Sequence, residues 1–330
     1  MHIRHGALDE NGLDTVVPVA ADCFTMMHSD QLTISPPDVT ALLQEQFPHL
    51  AHLPVRAVDS HGTVNALFRL GEDLVARFPL QASDDAAAMV QREVDAARRL
   101  LECSPVRTPV PVGVGKPGAS YPVPWLIVEW LPGTTAQAAA APDWRGVAVG
   151  LADFIQALAR MPTQGRTFDG QGRGGDLTSH DATVAECLDR GAHLVDAAPI
   201  AELWAQVRDL PRSRPDAWVH NDLMPGNILV APAEGARPGW VLDGVIDVGS
   251  LQIADPAVDL QPAWNCFDAP ARTVFRERIG VDDVTWDRGR AWALVQALPC
   301  LWYYEHTNPV MSQTALHTLR ALVEDASRPA

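Results

Sequence analysis

Val219-His220-Asn221-Asp222-Leu223-Met224-Pro225-Gly226-Asn227-Ile228-Leu229-Val230, followed by Gly244-Val245-Ile246-Asp247-Val248-Gly249, is the stretch that decides how the rest of the chain reads. From His220 to Asn227 it has the form H-x-D-x-x-x-x-N, and an apolar run then delivers Asp247 ahead of a small apolar residue and Gly249. Phosphoryl transfer asks for residues of this kind. A carboxylate must stand beside the acceptor hydroxyl, and oxygen ligands must hold Mg²⁺, because charge spreads over the phosphoryl oxygens in the transition state. Asp222 suits the first role, Asn227 and Asp247 the second.

The spacing has a local logic. Pro225-Gly226 forces a turn after Asp222, and Asn227 then opens the apolar strand Ile228-Leu229-Val230. Trp240 to Ile246 is a second apolar strand able to pair with it across a Pro/Gly-rich connection at 231–239. Asp and Asn are also ordinary turn residues, so either motif alone is open to a purely structural reading. Both motifs, in order and within one expected hairpin, weigh against that reading.

Three segments, His220-Asn221-Asp222-Leu223-x-Pro225-Gly226-Asn227, Ile246-Asp247-x-Gly249 and Asp255-Pro256-Ala257-x-Asp259-Leu260, together resemble the aminoglycoside/macrolide phosphotransferase family, which is similar in fold to protein kinases. The resemblance extends from about Leu42 to the last helix. It implies an α+β, bilobal protein-kinase-like fold with a small N-terminal β-sheet lobe carrying one long helix and a larger, mostly helical C-terminal lobe. The expected division is an N-terminal extension over 1–26, poorly packed, a nucleotide-binding lobe over 27–132, and a catalytic and acceptor-binding lobe over 133–330. His220 is expected to brace the catalytic loop, with general base the weaker reading, and Asp259 to anchor that loop. Asp255 reads as a helix cap ahead of Pro256. Asn221 stands where the family usually has Gly, which puts only backbone geometry at issue, since Asn tolerates left-handed φ.

The nucleotide lobe is expected upstream, as strands 66–70 and 73–79 joined at Gly71-Glu72, preceded by a loop holding Gly62 and Thr63 as the phosphate-side candidates. That loop is a weak signal, with one glycine and no full G-x-G-x-x-G. Val64 stands where the family commonly has an acid. Lys116 is the only lysine and lies in a loop. Arg77, on the strand where protein kinases place a lysine, is therefore the expected cation for the phosphates. Glu93, on a helix expected from Asp84 to Leu101, would orient it, the alternative being a solvated helical Glu. The run Pro124 to Gly133 resembles the family's hinge strand, which makes the main chain of Glu129, Trp130 and Leu131 the purine candidate.

After Gly133 the composition turns alanine-rich, and helix is expected from Thr134 onward. A Gly-rich polar stretch from Pro162 to Ser179, with Arg173 near its end, either folds toward the acceptor or is a solvated excursion. Beyond Leu260 most aromatic residues read as core, Arg272 and Arg276 as a solvated helix face, and Asp268 and Glu305 as acceptor-facing carboxylates.

Composition sets outer bounds. The 330 residues suffice for two lobes, and no apolar run approaches the roughly 20 residues that span a bilayer. A net charge of −16 argues against a nucleic-acid partner and favours a cationic small-molecule acceptor, although acidity also serves solubility. Five cysteines without metal spacing read as reduced thiols of a cytoplasmic protein with no signal peptide. The expected activity is transfer of a γ-phosphoryl from ATP or GTP, with Mg²⁺, to a hydroxyl of an antibiotic-like molecule. The alternatives are a metabolic kinase of the choline, homoserine or fructosamine type, a non-catalytic nucleotide-binding scaffold, and a hydrolytic metal site built on His220, Asp222 and Asp247.

Overall fold

The computed structural model describes residues 31–59, 64–139, 143–233 and 239–327; the expected extension and the candidates Gly62 and Thr63 lie outside the described residues. Helix α1 (Pro36–Gln46) opens the described chain. Ser35 caps it in a reciprocal capping box with Asp38, whose carboxylate accepts from the Ser35 amide at 3.0 Å, while Pro36 supplies the first-turn residue that needs no donor. Strands β1 (Val55–Ala57), β2 (Asn65–Leu70) and β3 (Leu74–Pro79) follow, then α2 (Ala86–Cys103), β4 (Pro111–Gly115) and β5 (Trp125–Glu129). They build one antiparallel sheet in the order β1-β2-β3-β5-β4. The β2–β3 turn needs left-handed backbone, which Gly71 supplies at φ 60°. β2 alternates, burying Ala66, Phe68 and Leu70, whereas β5 lies between two neighbours and buries every residue from Trp125 to Val128. Phe78 stacks on Trp125 at 4.7 Å between ring centroids at the centre of this lobe's core.

The chain leaves the first sheet at Glu129 and joins a second with β6 (Thr134–Thr135), and we place the lobe boundary there. The composition predicts helix from Thr134, but Thr134 and Thr135 are strand, for a tertiary reason. Thr134 and Thr135 pair with β8 (Ile228–Pro232), and the next two amides donate to Ile228 O at 2.8 Å and Pro225 O at 3.1 Å. An unpaired sheet edge outcompetes the modest helix propensity of two β-branched residues. Helices α3 (Arg145–Ala159), α4 (Asp181–Arg190) and α5 (Ala197–Val207) precede β7 (Ala217–Val219); after β8 come β9 (Trp240–Val245), β10 (Gln252–Ala254), α6 (Pro262–Asn265), α7 (Ala269–Ile279), α8 (Asp283–Tyr303) and α9 (Pro309–Ala326). β8 and β9 form the expected hairpin, and β10 pairs with β7. α8 buries residues around most of its circumference, Trp286 and Trp292 among them, and runs through the centre of the second core.

Arg272 departs from the solvated face expected of it. It is 7% exposed and donates to Ala263 O at 2.6 Å and to Asp325 at 3.2 Å. Sequence spacing within one helix cannot reveal a carboxylate delivered from another.

Asp282 caps α8, accepting from the Thr285 amide at 2.9 Å and its hydroxyl at 2.8 Å, and these bonds hold its carboxyl down at about 2. Asp282→Ala is expected to cost about 1 kcal/mol at neutral pH. The side chain is 44% exposed, so loss of the cap and not a bare charge effect sets that magnitude. Because the folded pKa is depressed, the contribution is present above the ordinary carboxylate range and fades as pH falls toward the folded value. Urea denaturation of both proteins should show a gap that begins to close below about pH 4. A gap independent of pH would remove the carboxylate from this role.

Candidate active site

The catalytic loop leaves β7 at Val219 and is suspended from a buried carboxylate. Asp259, fully buried in the 3₁₀ turn Pro256–Leu260, accepts from the amides of His220 at 2.7 Å and Asn221 at 2.8 Å. Two amide bonds to one carboxylate fix the loop's path, which matches the anchor expected of Asp259. Asn221 takes φ 68°, the left-handed backbone that an Asn tolerates. His220 is buried, and burial lowers its pKa against the pull of Asp259 and Asp247. Its Nδ1 accepts the Asp222 amide at 3.3 Å, which puts the proton of the neutral ring on Nε2. Histidine thus braces the loop from within.

Asp222 sits at the end of this frame, its side chain 27% exposed. The 3₁₀ turn Pro225–Asn227 folds Asn227 back, so that its Nδ2 donates to Asp222 O at 2.9 Å and to Asp222 Oδ2 at 3.0 Å. Burial pushes the Asp222 carboxyl above its ordinary range, opposed by the nearby Arg173 guanidinium and reinforced by Asp247. The Ile246 amide donates to Asn227 O at 2.9 Å, which ties the end of β9 to the start of β8. Asp247 follows at φ 58°, a conformation costly for a non-glycine residue and common where function dictates geometry.

Arg77 joins the two lobes. Its NH2 lies 2.5 Å from Asp247 Oδ1 and its Nε 2.9 Å from Glu93 Oε1. Burial works against the guanidinium charge, yet Glu93 and Asp247 outweigh it and its pKa rises. Helix α2 presents Glu93 on the face that also buries Val90, Val94 and Ala97, so the pairing follows from the helical period. At the expected hinge, the amides of Glu129 and Trp130 are engaged by Val110 O at 2.9 Å and Asp73 O at 2.7 Å. Among the described residues, the Leu131 amide is the one in that triplet without a protein partner. Arg69 lies over the Trp130 ring at 4.2 Å.

Two expected acceptor carboxylates have contacts of another kind. Asp268 is the exposed N-cap of α7, accepting from the Ala271 amide at 3.0 Å. Glu305 lies 2.9 Å from His193 Nε2 beyond the end of α8. Two further groups face Asp222: Arg173, which the sequence offers only within a stretch with two open readings, and Gln296, which it does not offer at all. Arg173 donates to Asn221 O and stands 3.6 Å from Asp222 Oδ1, and Gln296 of α8 donates to the same oxygen at 3.3 Å. The polar stretch 162–179 therefore folds inward. Its one advance signal was an arginine set among glycines; Gln296 had none.

Arg173 depends on Gly174. That residue takes φ 114°, and a Cβ there would collide with Ala254. Gly174→Ala is expected to cost about 1–3 kcal/mol and to lower turnover severalfold by shifting Arg173 from Asp222. Thermal unfolding and steady-state kinetics check both parts; wild-type values would show that the loop relaxes freely.

The donors fit a Mg²⁺ ion. With its nitrogen engaged by Asp222, Asn227 has its amide oxygen left for a cation, and Asp247 adds a carboxylate, both hard oxygen ligands. The model of the phosphotransferase enzyme family, abbreviated APH, matches residues 56–292. The chain belongs to that family. No curated protein matches this phosphotransferase. Among solved structures, the GDP complex of wild-type aminoglycoside 2'-phosphotransferase-IIIa superposes with a TM-score of 0.68 at 19% identity, over 89% of this chain and 100% of the other. The streptomycin-ATP-APH(2")-IIa ternary complex gives 0.56 at 15%, over 89% and 99%. Macrolide 2'-phosphotransferase type I gives 0.58 at 17%, over 87% and 98%. At such identities the likeness speaks for the fold, the protein-kinase-like arrangement of an α+β chain.

Proposed function

We propose that this phosphotransferase moves the γ-phosphoryl of ATP or GTP to a hydroxyl of a small antibiotic-like molecule. The observation that carries the reading is one cluster: Asp222, Asn227 and Asp247 held at the junction of two hairpin strands, with Arg77 and Glu93 reaching them from the other lobe. Asp222 orients the acceptor hydroxyl and takes its proton, helped by a carboxyl whose affinity for protons is raised by burial. Asn227 keeps that carboxylate in place. Arg77 grips the phosphates while Glu93 fixes the guanidinium. Mg²⁺, when bound through Asn227 and Asp247, supplies neutralisation of phosphate charge. The main chain at Glu129 to Leu131 receives the purine, with the Leu131 amide as donor, and Gly62 and Thr63 are the candidates on the phosphate side.

Proteins of similar fold bind kanamycin, streptomycin or gentamicin or are a macrolide 2'-phosphotransferase, which supports an antibiotic-like acceptor over choline or homoserine. Net charge of −16 favours the approach of cations, but recognition rests with the groups inside the cleft. The free thiols Cys103, Cys187, Cys266 and Cys300 suit a cytoplasmic enzyme. Coupled measurement of ADP or GDP release across aminoglycosides, macrolides, choline and homoserine tests this. Antibiotic-stimulated release supports it, stimulation by choline or homoserine alone transfers the assignment to a metabolic kinase, and no nucleotide binding at all sinks it.

A further inference from the structure

Resting on that reading, the walls beside Asp222 define which acceptors the cleft takes. Two hollows flank the catalytic turn and share Asn265. The smaller, about 10 Å³ and so sized for one hydroxyl or water, lies behind Met224 between Gln261, Asn265 and Gln296. The larger, about 190 Å³, lies past Pro225 and is lined by Trp144, Gln137, Gln313, Thr314 and His317.

Among the described residues, two that line the smaller hollow carry polar atoms without protein partners. Gln261 is 2% exposed and Asn265 5%, yet among the described residues neither Nε2 nor Oε1 of Gln261 has a protein partner, nor has Oδ1 of Asn265. Asn265 is held in position all the same, because its Nδ2 donates to Leu223 O at 3.1 Å in the catalytic loop. Buried amides are stable only when something pairs with them, and an amide pairs best with a neutral group that both gives and takes hydrogen bonds. Gln296, which lines the same hollow, donates to Asp222 Oδ1 at 3.3 Å, and Met224, also in the lining, gives its amide to Asp222 O at 2.9 Å. The hollow that these amides line thus shares Gln296 with the Asp222 carboxylate.

Charge points the same way. The residues lining the two hollows are amides, hydroxyls, two thiols, an indole, an imidazole and apolar groups. On either side of Trp144 in the chain, Asp143 is clasped by Arg145, and Asp268, near enough to act on the same Arg145, is engaged as a helix cap, while the exposed Glu324, which acts on His317, is not itself part of the lining. Next to Asp222 stands Arg173. A molecule carrying several ammonium groups would have to desolvate them against amides and face a guanidinium at the point of reaction.

We propose that the acceptor is a polyhydroxylated ring compound with at most one amine, its ring laid against Trp144 and its hydroxyl or amide groups read by Gln261, Asn265 and Gln137, with Arg173 discriminating against polycations. This narrows the acceptor to the macrolide-like end of the antibiotic range and away from the multiply charged end.

The test uses the full chain with Mg²⁺ and a non-hydrolysable ATP analogue, titrated calorimetrically with macrolactone polyols bearing no amine or one and with aminoglycosides bearing several. The expected result is tighter binding of the first class by at least about tenfold, with an affinity that changes less than about threefold between low and high salt. Trp144→Ala should weaken that binding about tenfold or more. Arg173→Gln should strengthen the polycations' binding by about tenfold, with unchanged thermal unfolding as the control for folding. Preferential binding of polycations with a steep salt dependence, or failure of both substitutions to alter the ranking, overturns the proposal while leaving the phosphotransferase reading intact. Absence of nucleotide binding overturns both.

Discussion

Asp222→Asn is expected to lower turnover by about 10³-fold or more while nucleotide affinity stays within about threefold of wild type. The asymmetry follows from the contacts. An asparagine keeps the side chain's shape and an oxygen toward Asn227 Nδ2, now 3.0 Å from Asp222 Oδ2, so the Asn227 side of the turn keeps its geometry. What disappears is the group able to take a proton from the acceptor hydroxyl. In the proposed function the nucleotide is gripped elsewhere, by Arg77 and the main chain past β5, and those groups do not touch Asp222. Steady-state kinetics with an accepted substrate and a separate nucleotide titration check the two halves. Turnover near wild type would mean that another group serves as base, and a parallel collapse of nucleotide affinity would mean that Asp222 organises the cleft instead of acting in it.

The parts of this site that are legible in the sequence are those whose contacts are local. Asn227 reaches Asp222 across five residues, so one turn fixes their relation and the spacing alone announces it. Glu93 meets Arg77 because a helix period and a strand period both place them inward, which the sequence displays as two regular patterns. Arg173 and Gln296 reach the catalytic loop across 48 and 74 residues. Beyond the glycines around Arg173, nothing near either residue encodes that approach, since it is set by how the 162–179 stretch returns beneath β10 and by the rotation of α8. The two acceptor carboxylates expected from composition illustrate the converse. Asp268 precedes a helix with Pro in its first turn, so its local pattern already described a cap, and the capping bond is what the fold contains. The overall architecture was legible for a related reason: alternation in β2, a fully apolar β5 and amphipathic α2 each declare their neighbours, whereas two residues of β6 depend on an edge that only the completed hairpin provides.

Asp255→Ala is expected to destabilise the protein by about 3–5 kcal/mol, a large share of the roughly 5–15 kcal/mol that holds a typical domain together. Asp255 is 3% exposed and accepts from Arg288 Nε at 2.8 Å, the Trp292 indole at 3.1 Å and the Ala257 amide at 3.1 Å. Arg288 is equally buried, and its NH2 lies 2.6 Å from the same carboxylate. Removing the acid leaves a guanidinium in the core of α8 with only the carbonyls of Leu210 and Gly175 about it, and strips an indole of its acceptor. Function should suffer beyond the loss of folded protein, because Asp255 caps the turn that carries Asp259, and Asp259 in turn suspends the catalytic loop. The unpaired charge, not the missing packing, is the larger part of that expected loss. Replacing both partners, Asp255→Leu with Arg288→Met, should therefore recover at least about half of it in urea denaturation, whereas turnover should stay depressed because the cap is still gone. A double variant no more stable than Asp255→Ala would place the energy in shape complementarity around α8 and not in the ion pair.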